Sequence, residues 1–145
     1  MKLISHRGNI NGPNLQKENH PNYINDALNK GYYVEIDVWF IDGKWFLGHD
    51  KPQYEIPIEF LFKQNLYLHA KNGDAYYEMW KHWELNCFWH TDENWVLTTY
   101  DEIWTYPKEQ LYPESICVLP ELGYKGDLNK CSGICSDFIE NYKTT

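Results

Sequence analysis

Polar and apolar residues alternate over Tyr33–Ile41. Val34, Ile36 and Val38 interleave with Glu35, Asp37 and Trp39, and a period of two predicts a strand with one apolar and one acidic face. Asp42-Gly43 follows as a tight-hairpin signal into a second strand, Lys44–Gly48, which delivers His49 and Asp50. Upstream, Lys2–His6 predicts a short strand ending in Ser5-His6-Arg7-Gly8, and a loop rich in Asn, Gly and Pro runs from Asn9 to about Asn19. Pro21–Lys30 predicts a helix: Pro21 suits a first turn, Ile24, Ala27 and Leu28 share a side, and Gly31 is the stop. Leu66–Lys71 predicts a further strand and Asp74–Trp83 a second helix. After that the helical pattern runs out. Asn86–His90, Trp95–Thr98, Glu102–Thr105, Ser115–Leu119 and Gly133–Asp137 each predict short strands, joined by segments too short or too broken for long helices.

This order predicts an α/β fold, a reduced or incomplete TIM-like (β/α) barrel with several helices missing in the C-terminal half. A complete eight-unit barrel takes roughly 200 residues or more, and the chain has 145, enough for one domain spanning residues 1–145. The formal charge of −8 argues against binding a nucleic-acid backbone, although a divalent cation can seat an anionic substrate in an acidic site. No apolar run reaches the length of a membrane span, and the N-terminus shows no signal-peptide pattern. With four cysteines read as reduced thiols, these features predict a cytoplasmic protein. Unpaired edges of a shortened barrel predict a homodimer.

The candidate chemistry begins at Glu35-Ile36-Asp37. Two carboxylates on one strand face repel each other unless a cation lies between them, and an oxygen-seeking ion such as Mg²⁺ or Ca²⁺ resolves the conflict. Polar groups recur at the other strand ends, as Ser5-His6-Arg7-Gly8, Gly48-His49-Asp50 and His69-Ala70-Lys71. Two histidines for acid–base work, Arg and Lys for an anion, and acids for a metal form the parts list of phosphoryl chemistry. His90, at the end of Phe88-Trp89-His90, and Asp137, ending the last strand, are candidate mouth-lining residues. Cys131 and Cys135 lack the companion ligands of a zinc site. The tryptophans are expected chiefly in the core, with a stacking wall for a nucleobase as the alternative.

Over its first 50 residues the chain resembles the glycerophosphodiester phosphodiesterases, within the phospholipase C-like phosphodiesterases. The resemblance lies in the opening His-Arg-Gly, the Glu18-Asn19 pair, the E-x-D strand, the Asp-Gly hairpin and Gly48-His49-Asp50. It continues weakly to His69–Lys71, and Gly133–Phe138 resembles the family's last strand. The resemblance implies a metal-dependent hydrolase of a small phosphodiester. His6 and His49 would be the acid–base pair, and Arg7 and Lys71 would bind the phosphate. Glu35, Asp37 and His69 would hold the metal, with Glu18 and Asn19 ordering the mouth. His69 stands where the family commonly has a glutamate, which shifts the expected ion from Mg²⁺ or Ca²⁺ toward Mn²⁺ or Zn²⁺. Two alternatives remain: a nucleotide or cyclic-nucleotide substrate, and an inactive barrel that only binds a phosphorylated ligand.

Overall fold

A computed structural model describes residues 1–144. Ten strands form one mixed sheet. They are β1 (Lys2–His6), β2 (Tyr33–Ile41), β3 (Lys44–Leu47), β4 (Tyr54–Ile56), β5 (Leu66–Ala70), β6 (Cys87–Trp89), β7 (Trp95–Leu97), β8 (Ile103–Thr105), β9 (Ser115–Val118) and β10 (Gly133–Ser136). The α-helices among the described residues are α1 (Pro21–Asn29) and α2 (Gly73–Trp80).

Parallel ladders run β6–β5–β2–β1–β10–β9–β8, and β7 closes that side antiparallel to β8. Where β1 ends, β3 takes over the same edge of β2, antiparallel along Val38–Ile41, with β4 beyond it. The sheet curls until its ends meet at Thr99. Its N–H donates to the Cys87 carbonyl (3.0 Å) and its hydroxyl accepts from the Cys87 N–H (2.9 Å).

The expected TIM-like (β/α) barrel is not what the chain builds. The fold is a sheet-dominated, curled half-barrel with helices after β1 and β5 alone among the described residues. The crossover from β8 to β9 carries Pro107 and Pro113, and that from β9 to β10 carries Pro120, Gly123 and Gly126. These residues interrupt the main-chain pattern a helix needs, so 3-10 turns at Pro120–Leu122 and Leu128–Lys130 stand in its place. Strand β4, between Pro52 and Pro57, lay outside the sequence expectation.

Alternation along β2 sorts its side chains. Val34, Ile36 and Val38 pack outward beneath Ile24 and Ala27 of α1 and Ala75 and Met79 of α2. The His20 ring accepts from the Asn22 N–H at the start of α1 (3.1 Å), and Asn72 caps α2 through the Ala75 N–H (3.1 Å). Glu35 and Asp37 therefore point into the curl. The floor below them is aromatic, with Tyr67, Phe88 and Trp104 packed on Ile4, Ile116 and Val118. Tyr67 Oη donates to Glu102 (2.8 Å), and Lys2 Nζ reaches the same carboxylate (2.9 Å), which pairs the polar groups beneath the floor.

Candidate functional site

The parallel strands point their C-terminal ends the same way, so the polar groups that end them converge on one opening. A cavity of about 220 Å³ there is lined by His6, Arg7, Glu35, His49, His69 and Lys71, with Trp104 as floor. Two backbone devices shape its rim. Arg7 and Asn19 both adopt left-handed conformations (φ 57° and 65°), and the Asn19 N–H donates to the Arg7 carbonyl (3.0 Å). Such backbone costs roughly 1–3 kcal/mol per residue and is held by its surroundings. Gly48, at φ 153°, lies so close to Lys51 that an added Cβ would stand 2.1 Å from the Lys51 carbonyl oxygen. The hairpin can deliver His49 to the site only with glycine there. The Trp39 indole N–H holds the Gly48 carbonyl (2.7 Å).

Glu35, Asp37 and His69 are all buried, and each offers one ligand atom within 4.8 Å of the others'. Asp37 is clamped by Asn19, whose Nδ2 donates to Oδ2 (2.8 Å) and whose Oδ1 accepts the Asp37 N–H (2.9 Å). The Arg7 Nε also approaches Oδ2 at 3.1 Å. Asp37 Oδ1 and Glu35 Oε2 are buried with no hydrogen-bond partner, although His69 Nδ1 is at ion-pair distance from Oδ1 (3.1 Å) and from Glu35 Oε1 (3.6 Å). Carboxylate oxygens orphaned in a buried site are the feature a cation satisfies. The imidazole is prepared for the same role. His69 Nε2 donates to the His90 carbonyl (3.1 Å) and the ring stacks on Phe88 (12° between planes), so Nδ1 is aimed at the two acids. The three residues can hold a divalent ion.

Charge follows from this crowding. Burial pushes the Asp37 carboxyl up, but the His69 imidazolium and the Arg7 charge outweigh it and hold it well below the usual carboxylate range. Burial also works against the His69 imidazolium, yet Asp37 and Glu35 push its pKa up to about 9. A metal must therefore displace a proton from His69 to bind.

The two histidines flanking this group are held in different ways. His6 Nδ1 pairs with Asp137 Oδ1 (2.7 Å), and its Nε2 faces Glu35 Oε2 at 3.7 Å. Burial lowers the His6 pKa, but the Asp137 bond and the Glu35 charge outweigh it, leaving the pKa raised. His49 Nδ1 lies 2.6 Å from Arg7 Nη2. A guanidinium only donates, so His49 accepts there and carries its proton on Nε2. Arg7 also reaches Glu18 Oε1 (3.2 Å), whose other oxygen accepts the Asn14 N–H (3.0 Å).

Ten of the eleven sequence-chosen residues fall into three sets. Glu35, Asp37 and His69 form the ligand group, and His6, Arg7, His49, Lys71 and His90 line the cavity around it. Glu18 and Asn19 stand behind, on Arg7 and Asp37. The eleventh, Asp137, stands behind His6 and bonds its ring at 2.7 Å rather than lining the mouth itself.

Sequence reasoning missed Asn9, whose Nδ2 donates to the same Asp137 oxygen (2.8 Å) while its Oδ1 accepts from the Tyr23 hydroxyl (3.1 Å). It also missed Glu121, which takes the Asp137 N–H (3.0 Å), and the cavity residue Tyr106. Asn9 follows His-Arg-Gly directly, and that adjacency was the one available signal. Comparisons with protein-family models, with curated proteins and with solved structures found no match to the chain.

Proposed function

We propose that the chain is a metal-dependent phosphodiester hydrolase, similar in its chemistry to the glycerophosphodiester phosphodiesterases that its first 50 residues resemble. The observation that carries the reading is the meeting, around one cavity, of the Glu35, Asp37 and His69 group with His6, held from behind by Asp137, and with Arg7, His49 and Lys71.

Glu35, Asp37 and His69 would hold the ion. When bound, a divalent cation supplies Lewis-acid stabilisation of charge on the non-bridging phosphoryl oxygens. Arg7 and Lys71 add positive charge at the same wall. The histidine roles follow from their tautomers. A neutral His6 that donates Nδ1–H to Asp137 offers the Nε2 lone pair to the cavity, and it takes the proton from the nucleophile. His49, with Nδ1 accepting from Arg7, is neutral, and its Nε2–H would steady the leaving alkoxide, which then takes its proton from solvent. The attacking oxygen is water or a neighbouring substrate hydroxyl. Mn²⁺ or Zn²⁺ suits the one-nitrogen, two-oxygen set better than Ca²⁺, and Mg²⁺ remains a fit.

No helix among the described residues is long and apolar enough to cross a membrane. Cys87, Cys117, Cys131 and Cys135 are free and buried, which suits the cytoplasm we propose. Strand β7 ladders with β8 alone among the described strands and exposes Trp95 and Leu97, and we assign the proposed homodimer contact there. A 17 kDa species by light scattering at working concentration overturns that contact.

The function itself is tested by ³¹P NMR on glycerophosphodiesters, dinucleotides and cyclic nucleotides, with Mg²⁺, Mn²⁺, Zn²⁺ and Ca²⁺ supplied separately. We expect a phosphomonoester or cyclic phosphate product that disappears with chelator and with His6→Ala. Unchanged diesters under every metal overturn the reading.

A further inference from the structure

The 220 Å³ cavity is small for a whole diester substrate, so one ester arm must lie outside it. A second depression of about 330 Å³ opens beside it, and the two meet at His90 and Tyr106. These rings stack 4.4 Å apart at 19°. Their polar atoms are already committed: the Tyr106 hydroxyl donates to His90 Nδ1 (3.1 Å) and His90 Nε2 donates to the Glu93 carbonyl (2.9 Å). What the pair offers a ligand is therefore ring surface rather than hydrogen-bonding edges, and Pro107 and the exposed Leu122 extend that apolar floor.

The rim is rich in acceptors. The Glu93 carboxylate is fixed by the N–H groups of Thr91 (2.9 Å) and Asp92 (3.2 Å), which hold its pKa at about 2 and keep it charged. Asp92 stands beside it. Asn94 donates one Nδ2–H to Glu109 (2.7 Å), and its side-chain oxygen adds an acceptor to the rim. Lys108 is the one cationic side chain lining this depression. A second phosphate is repelled here, while a flat ring carrying N–H donors fits both floor and rim.

We propose that the depression floored by His90 and Tyr106 is a subsite for a nucleobase-like arm, a flat aromatic ring bearing amino groups, of the diester whose phosphate sits in the neighbouring cavity. This rests on the phosphodiester reading for the second half of the statement alone; the ring site stands on its own residues. Base stacking on an aromatic side chain contributes on the order of tenfold or more to binding.

The test has two arms. In the first, adenosine, which has no phosphate to hydrolyse, is titrated into the full chain without metal and followed by NMR. The Tyr106 and His90 ring signals should shift in the wild type. The response should weaken about tenfold in Tyr106→Leu and in the surface variant Leu122→Ser, which removes apolar floor with little risk to folding. In the second, the ratio of kcat/KM for an adenosine-containing diester to that for an alkyl diester should fall about tenfold in both variants. Adenosine that leaves both rings unmoved overturns the subsite, whether or not diesters are cleaved. Adenosine binding at these rings with no cleavage of any diester supports the subsite and overturns the hydrolase reading instead.

Discussion

The two halves of the sheet are covered by different means and contribute different things to the site. Around β2 and β5 the outer face lies under α1 and α2, with Ile24, Ala27, Ala75 and Met79 closing over Val34, Ile36 and Leu68. Around β9 and β10 the outer face is closed by irregular chain. Tyr32, Leu111 and Ile139 pack there on Cys117, Cys131 and Ile134 with no α-helix. The helix-covered half holds the ligand group and the cationic and imidazole groups, Arg7, His49 and Lys71. The helix-free half gives the walls, Trp104, Tyr106 and Val118, and one chemical group, Asp137. Strand alternation, rather than the covering layer, is what aims side chains into the curl, so a crossover can shed its helix while its strand still ends at the mouth.

The sharpest way to break this division is Asp137→Asn, the one reach of the helix-free half into the chemistry. It leaves the ligand group untouched but deprives His6 of its carboxylate. We expect kcat to fall by about a thousandfold with metal affinity unchanged, and the acid limb of kcat/KM to move to lower pH. The sign follows because His6 must be neutral to accept a proton, and Asp137 raises its pKa. An equal loss of metal affinity in this variant contradicts the division.

The two coverings are compared directly by Ile24→Ala and Ile139→Ala, each removing a fully buried side chain, one from the inner side of α1 and one from the cover that has no α-helix. Each should lower unfolding stability by about 2–5 kcal/mol in denaturant titrations. A negligible effect for Ile139→Ala alone shows the irregular cover to be loose.

Asn19→Ala probes the clamp on Asp37, and outer contacts of this kind are worth roughly 10–100-fold in metal affinity, read by calorimetry. Within the ligand group, His69 sets a gentler dependence. In the metal-free protein its pKa lies near 9, above its ordinary 6.5. Its ion pairs with Asp37 and Glu35 therefore stabilise the fold fully below pH 6.5, and that contribution is lost as pH rises toward 9. Metal affinity runs the other way, rising about tenfold per pH unit over the range where the proton must be displaced. Thermal melts and metal titrations between pH 6 and 9 should show these opposite slopes.

Much of the site was legible because its groups sit on short motifs at strand ends. Glu35 and Asp37 two apart on an alternating strand, His6-Arg7 after β1, and His49 behind an Asp-Gly hairpin all follow from local pattern. What was not legible depends on residues distant in sequence. His6 and Asp137 are 131 residues apart, and Asn9 gains its role from where Asp137 arrives. Tyr106 becomes a wall by stacking on His90 across two loops. The barrel expectation failed for a related reason. A β-α-β start implies helices at later crossovers, whereas Pro107, Pro113 and Pro120 and the aromatic floor let the sheet curl without them.

The central claim is that Glu35, Asp37 and His69 bind one divalent ion as a unit. Pulsed EPR of the protein loaded with Mn²⁺ tests it most directly, because imidazole nitrogen bound to manganese gives a resolvable coupling. The account predicts one Mn²⁺ per chain with a single coupled imidazole nitrogen, the coupling lost in His69→Gln and the binding lost in Glu35→Gln. Manganese bound without nitrogen coupling, or bound equally well by Glu35→Gln, contradicts it.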